Sequence, residues 1–146
     1  MEQRWRNDGL YPRKRNMIFN VGDKFFQEFI VSDTVYEGFV SIFKDKNPLH
    51  ISDEFALKKS FKTKVMHGNI LNGFLSYFIG ECLPIKDVII HSQEIQFKNA
   101  VYLNDIVHFN ADIIGFYESV NAVEFKFTFK RETTIMAKGK IQIGII

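Results

Sequence analysis

One stretch, residues 68–82, constrains the fold of this 146-residue chain most strongly. Its apolar side chains recur every three or four positions, at Ile70, Leu71, Phe74, Leu75, Phe78, Ile79 and Cys82. This period predicts an amphipathic helix with one continuous apolar stripe, which Leu83-Pro84 then ends. Because a lone helix cannot bury so wide a stripe, we expect a sheet to pack against it. Small residues on this helix are expected to let strands approach closely, namely Gly73, Ser76 and Gly80.

Strand-like segments account for much of the remaining chain. They cover residues 24–31, 88–97, 106–114, 120–131 and 134–145. The clearest lies at 123–129, where Val and Phe alternate with Glu, Lys and Thr, so one face is predicted to be buried and the other wet. The sequence therefore predicts a single α+β domain over residues 17–146, in which a five- to six-stranded antiparallel sheet wraps one long central helix.

The first sixteen residues differ from the rest of the chain in charge. They hold five basic and two acidic side chains, a net of +3, whereas the whole chain carries +2. We expect a loose basic N-terminal tail over residues 1–16. The alternatives are a partner-binding segment, or extra sequence ahead of a natural start at Met17. The domain itself is not basic enough to predict a nucleic-acid partner.

Two absences in the sequence narrow the class of protein. Cys82 is the only cysteine, so an internal disulfide and a cysteine-rich metal site are both excluded. No apolar run reaches the ~18–20 residues that a membrane span needs. We therefore expect a cytoplasmic protein with neither a membrane nor a nucleic acid as its partner.

A turn at residues 45–50 joins a carboxylate to an imidazole. The helix predicted before it must end ahead of Pro48, because proline lacks a backbone N–H and disfavours helical geometry at Asn47. On an unbroken helix Asp45 and His50 would point about 140° apart, since each residue turns about 100°. With Asn47-Pro48 between them, both side chains can face one cavity. A carboxylate and an imidazole in one site can divide general acid and general base catalysis.

The long helix begins directly after His67-Gly68. The first N–H groups of a helix have no acceptor within the helix, and the positive end of its dipole lies there. Such a terminus stabilises negative charge that develops on a substrate carbonyl oxygen. Together with the 45–50 turn, this favours a catalytic site over isolated structural residues.

These motifs carry a resemblance to a known family. D-K-N-P-L-H at 45–50, followed by V-M-H-G at 65–68, is similar to the D-x-N-P-L-H and V-H-G motifs of MaoC-like, (R)-specific enoyl-CoA hydratases. Those proteins have the hotdog fold. F-K-N-A-V-Y-L-N-D-I-V at 97–107 resembles the family's F-x-x-P-V-Y-x-G-D-x-V. The likeness covers about residues 22–114.

The resemblance implies a reaction and a role for each residue. Asp45 and His50 would activate one water and add it across the 2,3 double bond of a trans-2-enoyl thioester, giving the (R)-3-hydroxyacyl product, or catalyse the reverse dehydration. The Gly68 N–H would contact the thioester carbonyl, and Asn47 would support the pair. The resemblance implies a homodimer, and CoA or acyl carrier protein as the substrate carrier. Neither the resemblance nor this chemistry calls for a cofactor or a metal.

The sequence departs from the family pattern at four positions. Asn69 stands where the family usually has an apolar residue, commonly Met, and Asn72 follows one turn later. Both are candidates to make the acyl pocket more polar or shorter. Ala100 replaces a proline and Asn104 replaces a glycine, which are mild changes since Asn tolerates the left-handed region.

Other interpretations of the same residues stay open. An acyl thioesterase of the same fold and a non-catalytic acyl-binding subunit are the alternative functions. Taken singly, Asp45 could cap a helix and His50 could be a loop histidine. A metal site formed by these two with His67 matches no familiar spacing, and His67 is expected to bond backbone near the helix start.

Three further side chains are expected to have no role in catalysis. His91 and His108 lie in strand-like segments without a partner motif, and Cys82 is expected to pack in the core.

Overall fold

A computed structural model describes residues 18–146, so the predicted tail at 1–16 lies outside the described residues. Five strands are present in it: β1 Lys24–Ile30, β2 Val88–Phe97, β3 Ile106–Tyr117, β4 Ala122–Arg131 and β5 Thr134–Ile145. The α-helices are α1 Asp33–Phe43, α2 Pro48–Ile51, α3 Asp53–Lys58 and α4 Asn69–Tyr77. A π-helical turn at Phe78–Cys82 continues α4, and a 3₁₀ turn at Glu118–Val120 precedes β4.

The five strands form one antiparallel sheet in the order β1-β3-β4-β5-β2. The α+β prediction of a sheet around one helix is thus confirmed, with five strands in the described chain. β1 and β2 are the edges of this sheet. No helix within residues 18–146 is long and apolar enough to cross a membrane.

The core lies between the sheet and α4 with its π-helical continuation. β4 alternates as predicted, since Val123, Phe125, Phe127 and Phe129 are buried and the residues between them are not. Phe78 is completely buried among aromatic rings, with its ring centroid 4.8 Å from that of Phe109 and 5.7 Å from that of Phe125. These contacts hold the helix across the sheet.

The predicted role of the small residues on α4 is wrong. Gly73, Ser76 and Gly80 are exposed, and a Cβ added at either glycine would meet no atom within 4 Å. At about 100° per residue these positions fall on the side of the helix opposite the apolar stripe. Bulky side chains such as Leu71 and Leu75 therefore make the contact with the core.

One glycine does allow a close backbone approach. Gly139 of β5 pairs with Ile95 of β2, and a Cβ added at Gly139 would overlap the Glu94 carbonyl oxygen. We expect Gly139→Ala to lower the free energy of unfolding by about 1–3 kcal/mol, because backbone must shift to accept the methyl group. A urea titration measures this. Gly38→Ala in α1 is the matched control, since its Cβ meets open space, and it should raise stability by about 0.5–1 kcal/mol. Equal stability of the two variants would contradict the prediction.

Candidate active site

The turn between α1 and α2 presents Asp45 at its start. Lys44 ends α1 in the left-handed conformation, with φ of 61°. Asp45 Oδ1 then accepts a hydrogen bond from the Asn47 backbone N–H at 3.2 Å, and Asn47 Oδ1 accepts one from the Leu49 N–H at 3.0 Å. Pro48 occupies the first position of α2, where its missing N–H would have no acceptor in any case. The local contacts of the sequence D-K-N-P thus favour a reversal of the chain at this point.

This reversal brings the carboxylate of Asp45 to the imidazole of His50. Asp45 Oδ2 lies 3.9 Å from His50 Nε2. The Asp45 side chain is half exposed at 50%, whereas that of His50 is 18% exposed. A separation of 3.9 Å is too long for a hydrogen bond, and it leaves both atoms able to contact one small group between them.

The contact made by the second ring nitrogen of His50 determines which nitrogen carries a proton. Nδ1 lies 2.8 Å from the Val65 carbonyl oxygen. Since a carbonyl only accepts, Nδ1 carries a proton, and in the neutral imidazole the lone pair is then on Nε2, on the Asp45 side. The Tyr36 hydroxyl donates to the His50 carbonyl oxygen at 2.7 Å and holds the main chain at the same residue.

Gly68 lies at the start of α4. Its backbone is helical, with φ of −58°, and within residues 18–146 its N–H has no hydrogen-bond partner. The Phe97 ring lies over it, since a Cβ added at Gly68 would come 2.9 Å from Phe97 Cε1. The N–H is half-buried beside an aromatic ring and points from a helix N-terminus, which are the conditions in which a backbone donor acts most strongly on a charged oxygen.

Two adjoining hollows meet at Asn69. His50 and Gly68 both line a cavity of about 420 Å³, whose wall is completed by residues 97–101. Asp45 lies instead on an apolar groove of about 870 Å³ between α1 and α4. Asn69 lines both, so the two hollows adjoin at this residue, with His50 on the cavity and Asp45 on the groove.

The structure places both asparagines of the expected acyl pocket on the groove. Asn72 Nδ2 donates to Asn69 Oδ1 at 2.8 Å, and Gln93 Nε2 of β2 donates to Asn72 Oδ1 at 2.8 Å. The opposite wall is apolar and contains Phe39, Ile42 and Phe43 of α1. The side-chain amides of Asn69 and Asn72 are therefore hydrogen-bonded to each other, and they form the polar side of an otherwise apolar groove.

His67 completes the cluster. It is buried, Nε2 lies 2.8 Å from the Asp45 carbonyl oxygen, and its ring stacks on that of His50 with centroids 4.1 Å apart. Asp45, His50 and His67 offer ligand atoms within 4.8 Å of one another. One nitrogen of each imidazole already lies 2.8 Å from a backbone carbonyl oxygen, His67 Nε2 from that of Asp45 and His50 Nδ1 from that of Val65.

The remaining histidines and the cysteine lie away from this cluster. His91 is on β2 and His108 on β3, where His108 Nδ1 lies 3.8 Å from a carboxylate oxygen of Glu28. Burial raises the pKa of the Cys82 thiol, which keeps it protonated near neutral pH although Lys86 acts in the other direction.

Sequence reasoning missed two residues that the structure brings to the site. From the sequence alone, Tyr36 is only one aromatic residue of the helix predicted ahead of Pro48, and Phe97 only the end of a strand and the first residue of the motif at 97–107. Their aromatic character predicted burial, whereas their contacts with His50 and Gly68 depend on how distant segments pack.

Comparison with known proteins shows which family the chain resembles. The sequence profile of the family described as MaoC like domain matches residues 24–134. A Rhodospirillum rubrum protein named (R)-specific enoyl-CoA hydratase is 30% identical over 105 residues, which cover 72% of this chain and 69% of the relative. A Methylorubrum extorquens 3-hydroxybutyryl-CoA dehydratase is 34% identical over 87 residues, 60% of this chain and 54% of the relative.

A solved structure supports the fold independently. The (R)-hydratase from A. caviae superposes with a TM-score of 0.80 at 22% identity, covering 88% of this chain and 98% of the other. That likeness shows the hotdog fold, while the profile and the sequence relatives show the family. The chain belongs to the MaoC-like domain family.

Proposed function

We propose that this protein hydrates trans-2-enoyl thioesters to (R)-3-hydroxyacyl thioesters, or dehydrates them in reverse, with Asp45 and His50 as the catalytic residues. The observation that carries the proposal is the 3.9 Å separation between Asp45 Oδ2 and His50 Nε2, with the Gly68 N–H, which has no hydrogen-bond partner within residues 18–146, on the same cavity as His50. The names of the two sequence relatives support the same reaction.

The chemistry needs a base and an acid close together. Water attacks C3 of the enoyl group as it loses a proton, and C2 receives a proton, so one water is added in total. His50 Nε2 has a free lone pair, and Asp45 Oδ2 lies near it. A water between these atoms would be oriented by both, and the proton taken from it can return through the pair to C2.

The enolate that forms during addition needs a donor. Negative charge develops on the thioester oxygen, and the Gly68 N–H is the group suited to receive it. Removing one such donor from an enzyme typically costs about 2.7–4 kcal/mol of transition-state stabilisation. Because Gly68 and His50 line one cavity, a carbonyl at the N–H would place the adjacent double bond near the catalytic pair.

The groove between α1 and α4 fits the acyl chain. Its lining is largely apolar, with Asn69 and Asn72 on one side near Asp45. We propose that the acyl group enters this groove past Asn69 and that short or polar chains are preferred over long fatty chains.

The other hollow fits the thioester's carrier. Lys98 lines this cavity. In the described part of the chain its ammonium group pairs with no carboxylate. An uncompensated cation at this opening suits a phosphate group of the carrier, which CoA and acyl carrier protein both provide.

A second copy of the chain is the proposed partner. The edge strand β2 pairs with β5 on one side only and carries exposed apolar residues, including Ile89 at 51% and Phe97 at 51% exposure. An unpaired edge of this kind readily accepts another strand. We propose a homodimer joined along β2. The cytoplasmic location remains a prediction.

Turnover of crotonyl thioesters tests the function. With crotonyl-CoA the purified protein should remove the absorbance of the conjugated enoyl group and form 3-hydroxybutyryl-CoA of the (R) configuration. Crotonyl-pantetheine, which lacks the phosphates, should show a KM about tenfold higher or more, since charge-assisted hydrogen bonds are worth about 1.5–3 kcal/mol.

Other outcomes would point to the alternative functions. Free thiol release without hydration would indicate a thioesterase. Tight binding of acyl-CoA without turnover, across CoA and acyl carrier protein thioesters of several lengths, would indicate a non-catalytic subunit. Either result would contradict the proposed hydratase.

A further inference from the structure

One buried histidine connects both catalytic candidates. His67 is 3% exposed and lies between two rings, that of His50 at 4.1 Å and that of Phe39 at 4.6 Å between centroids. The plane of the His67 ring lies at 29° to that of His50 and at 35° to that of Phe39. The ring of His50 therefore rests on an aromatic stack that is anchored in α1.

The hydrogen bonds of His67 fix which nitrogen carries its proton. Nε2 lies 2.8 Å from the Asp45 carbonyl oxygen, which only accepts, so Nε2 is the donor. Nδ1 is buried and has no hydrogen-bond partner within residues 18–146. A proton on Nδ1 would be an unsatisfied buried donor at a cost of about 1–3 kcal/mol, so Nδ1 holds the lone pair. His50 has the opposite arrangement, with its proton on Nδ1.

These contacts act on both members of the catalytic pair. The Nε2–H bond holds the main chain of Asp45, whose side chain accepts a hydrogen bond from Asn47. The ring face holds the plane of His50, whose Nδ1 bonds to Val65 and whose carbonyl oxygen accepts from Tyr36. Without His67, these contacts remain, but the two side chains gain freedom to move relative to each other.

We propose that His67 is the positioning residue of the Asp45–His50 pair, its Nε2–H fixing the Asp45 main chain and its ring fixing the plane of His50. The inference rests on the proposed hydratase function for its kinetic consequence, whereas its tautomer can be measured without turnover. A misplacement of about 1 Å within such a pair can cost about 10²-fold in rate, which sets the expected effect.

Two substitutions separate the two contacts. His67→Gln keeps an N–H donor near the position of Nε2 but removes the ring, and His67→Phe keeps the ring but removes the donor. Each should lower kcat for crotonyl-CoA about 10- to 100-fold while KM changes less than about threefold. His108→Gln and His108→Phe, made at an exposed histidine on β3, are the matched controls and should leave both constants unchanged.

Imidazole ¹⁵N NMR of the full chain gives a second, independent measurement. In the wild-type protein His67 should show a protonated Nε2 and a bare Nδ1, and His50 the reverse. Folded His67 variants that keep wild-type kcat would overturn the inference, as would a wild-type His67 with its proton on Nδ1. If the variants do not fold, the NMR result decides. If the wild-type protein hydrates no enoyl thioester, the proposed function fails while the tautomer test still stands.

Discussion

Asp45→Asn and His50→Ala are expected to reduce kcat for crotonyl-CoA hydration by about 10²–10⁴-fold, the usual contribution of a positioned general acid or base. Asn keeps the size of Asp45 and its acceptor oxygen for the Asn47 N–H, so the turn should persist while the carboxylate is lost. His50→Ala removes the lone pair at Nε2. Because Asp45→Asn keeps the size of a side chain that lines the groove, and His50 does not line it, KM should move far less than kcat.

The controls for this experiment lie on the outer face of the sheet. Asp112→Asn and His108→Ala remove the same residue types far from the turn, where Asp112 pairs with Lys24 at 3.2 Å. Both should retain full activity. A double variant, Asp45→Asn with His50→Ala, should be little worse than either single one, since groups that act as a unit are non-additive. Hydration that survives in both single variants would mean that the acid–base groups lie elsewhere.

Phe78→Ala is expected to have the largest effect on stability, lowering the free energy of unfolding by about 3–5 kcal/mol. The ring is fully buried in contact with Phe25, Phe109 and Phe125, so its removal leaves a cavity in the centre of the core. The total free energy of unfolding of a native domain is only about 5–15 kcal/mol. A urea titration followed by circular dichroism measures the change.

Phe26→Ala supplies the comparison for the same deletion on the surface. Phe26 is 68% exposed on β1, so its loss should change the free energy of unfolding by about 0.5 kcal/mol or less. Similar losses in the two variants would show that the Phe78 cluster does not hold the helix on the sheet.

The strands and helices with a periodic apolar pattern were predictable, because each period corresponds to one backbone geometry and one buried face. The alternation at 123–129 predicted the buried face of β4, and the stripe from Ile70 to Cys82 predicted the helix on the sheet; both are confirmed. Asn104 was expected to tolerate the left-handed region in place of a glycine, and it adopts φ of 69°. In these cases the local sequence and the tertiary structure favour the same conformation.

Details that depend on a single turn of backbone were not predictable in the same way. The strand expected from Val120 begins at Ala122, because residues 118–120 form a 3₁₀ turn and Asn121 adopts the left-handed conformation with φ of 51°. The long helix changes to π geometry at Phe78, and apolar periodicity does not distinguish that turn from an α-helical one.

The candidate site also has parts that the sequence predicts and parts that it does not. Pro48 predicted that the chain reverses between Asp45 and His50, and the structure places their side-chain atoms 3.9 Å apart. The expectation that both face one cavity is met only in part, since Asp45 lies on the groove and His50 on the smaller cavity. The stack of His67 on His50 was not predictable, because it depends on how α1 packs against residues 65–68.

The short turn that carries Asp45 and His50 has a consequence for how such a chain can diverge. The pair and its supports come from residues 45–50, residues 65–68 and Tyr36, whereas the far wall of the groove comes from side chains such as Ile42 and Phe74. A substitution at Ile42 or Phe74 would alter the space for a ligand without touching Asp45 or His50, the proposed catalytic residues. Under the proposed function, the reaction and the choice of substrate thus depend on different residues of one small domain.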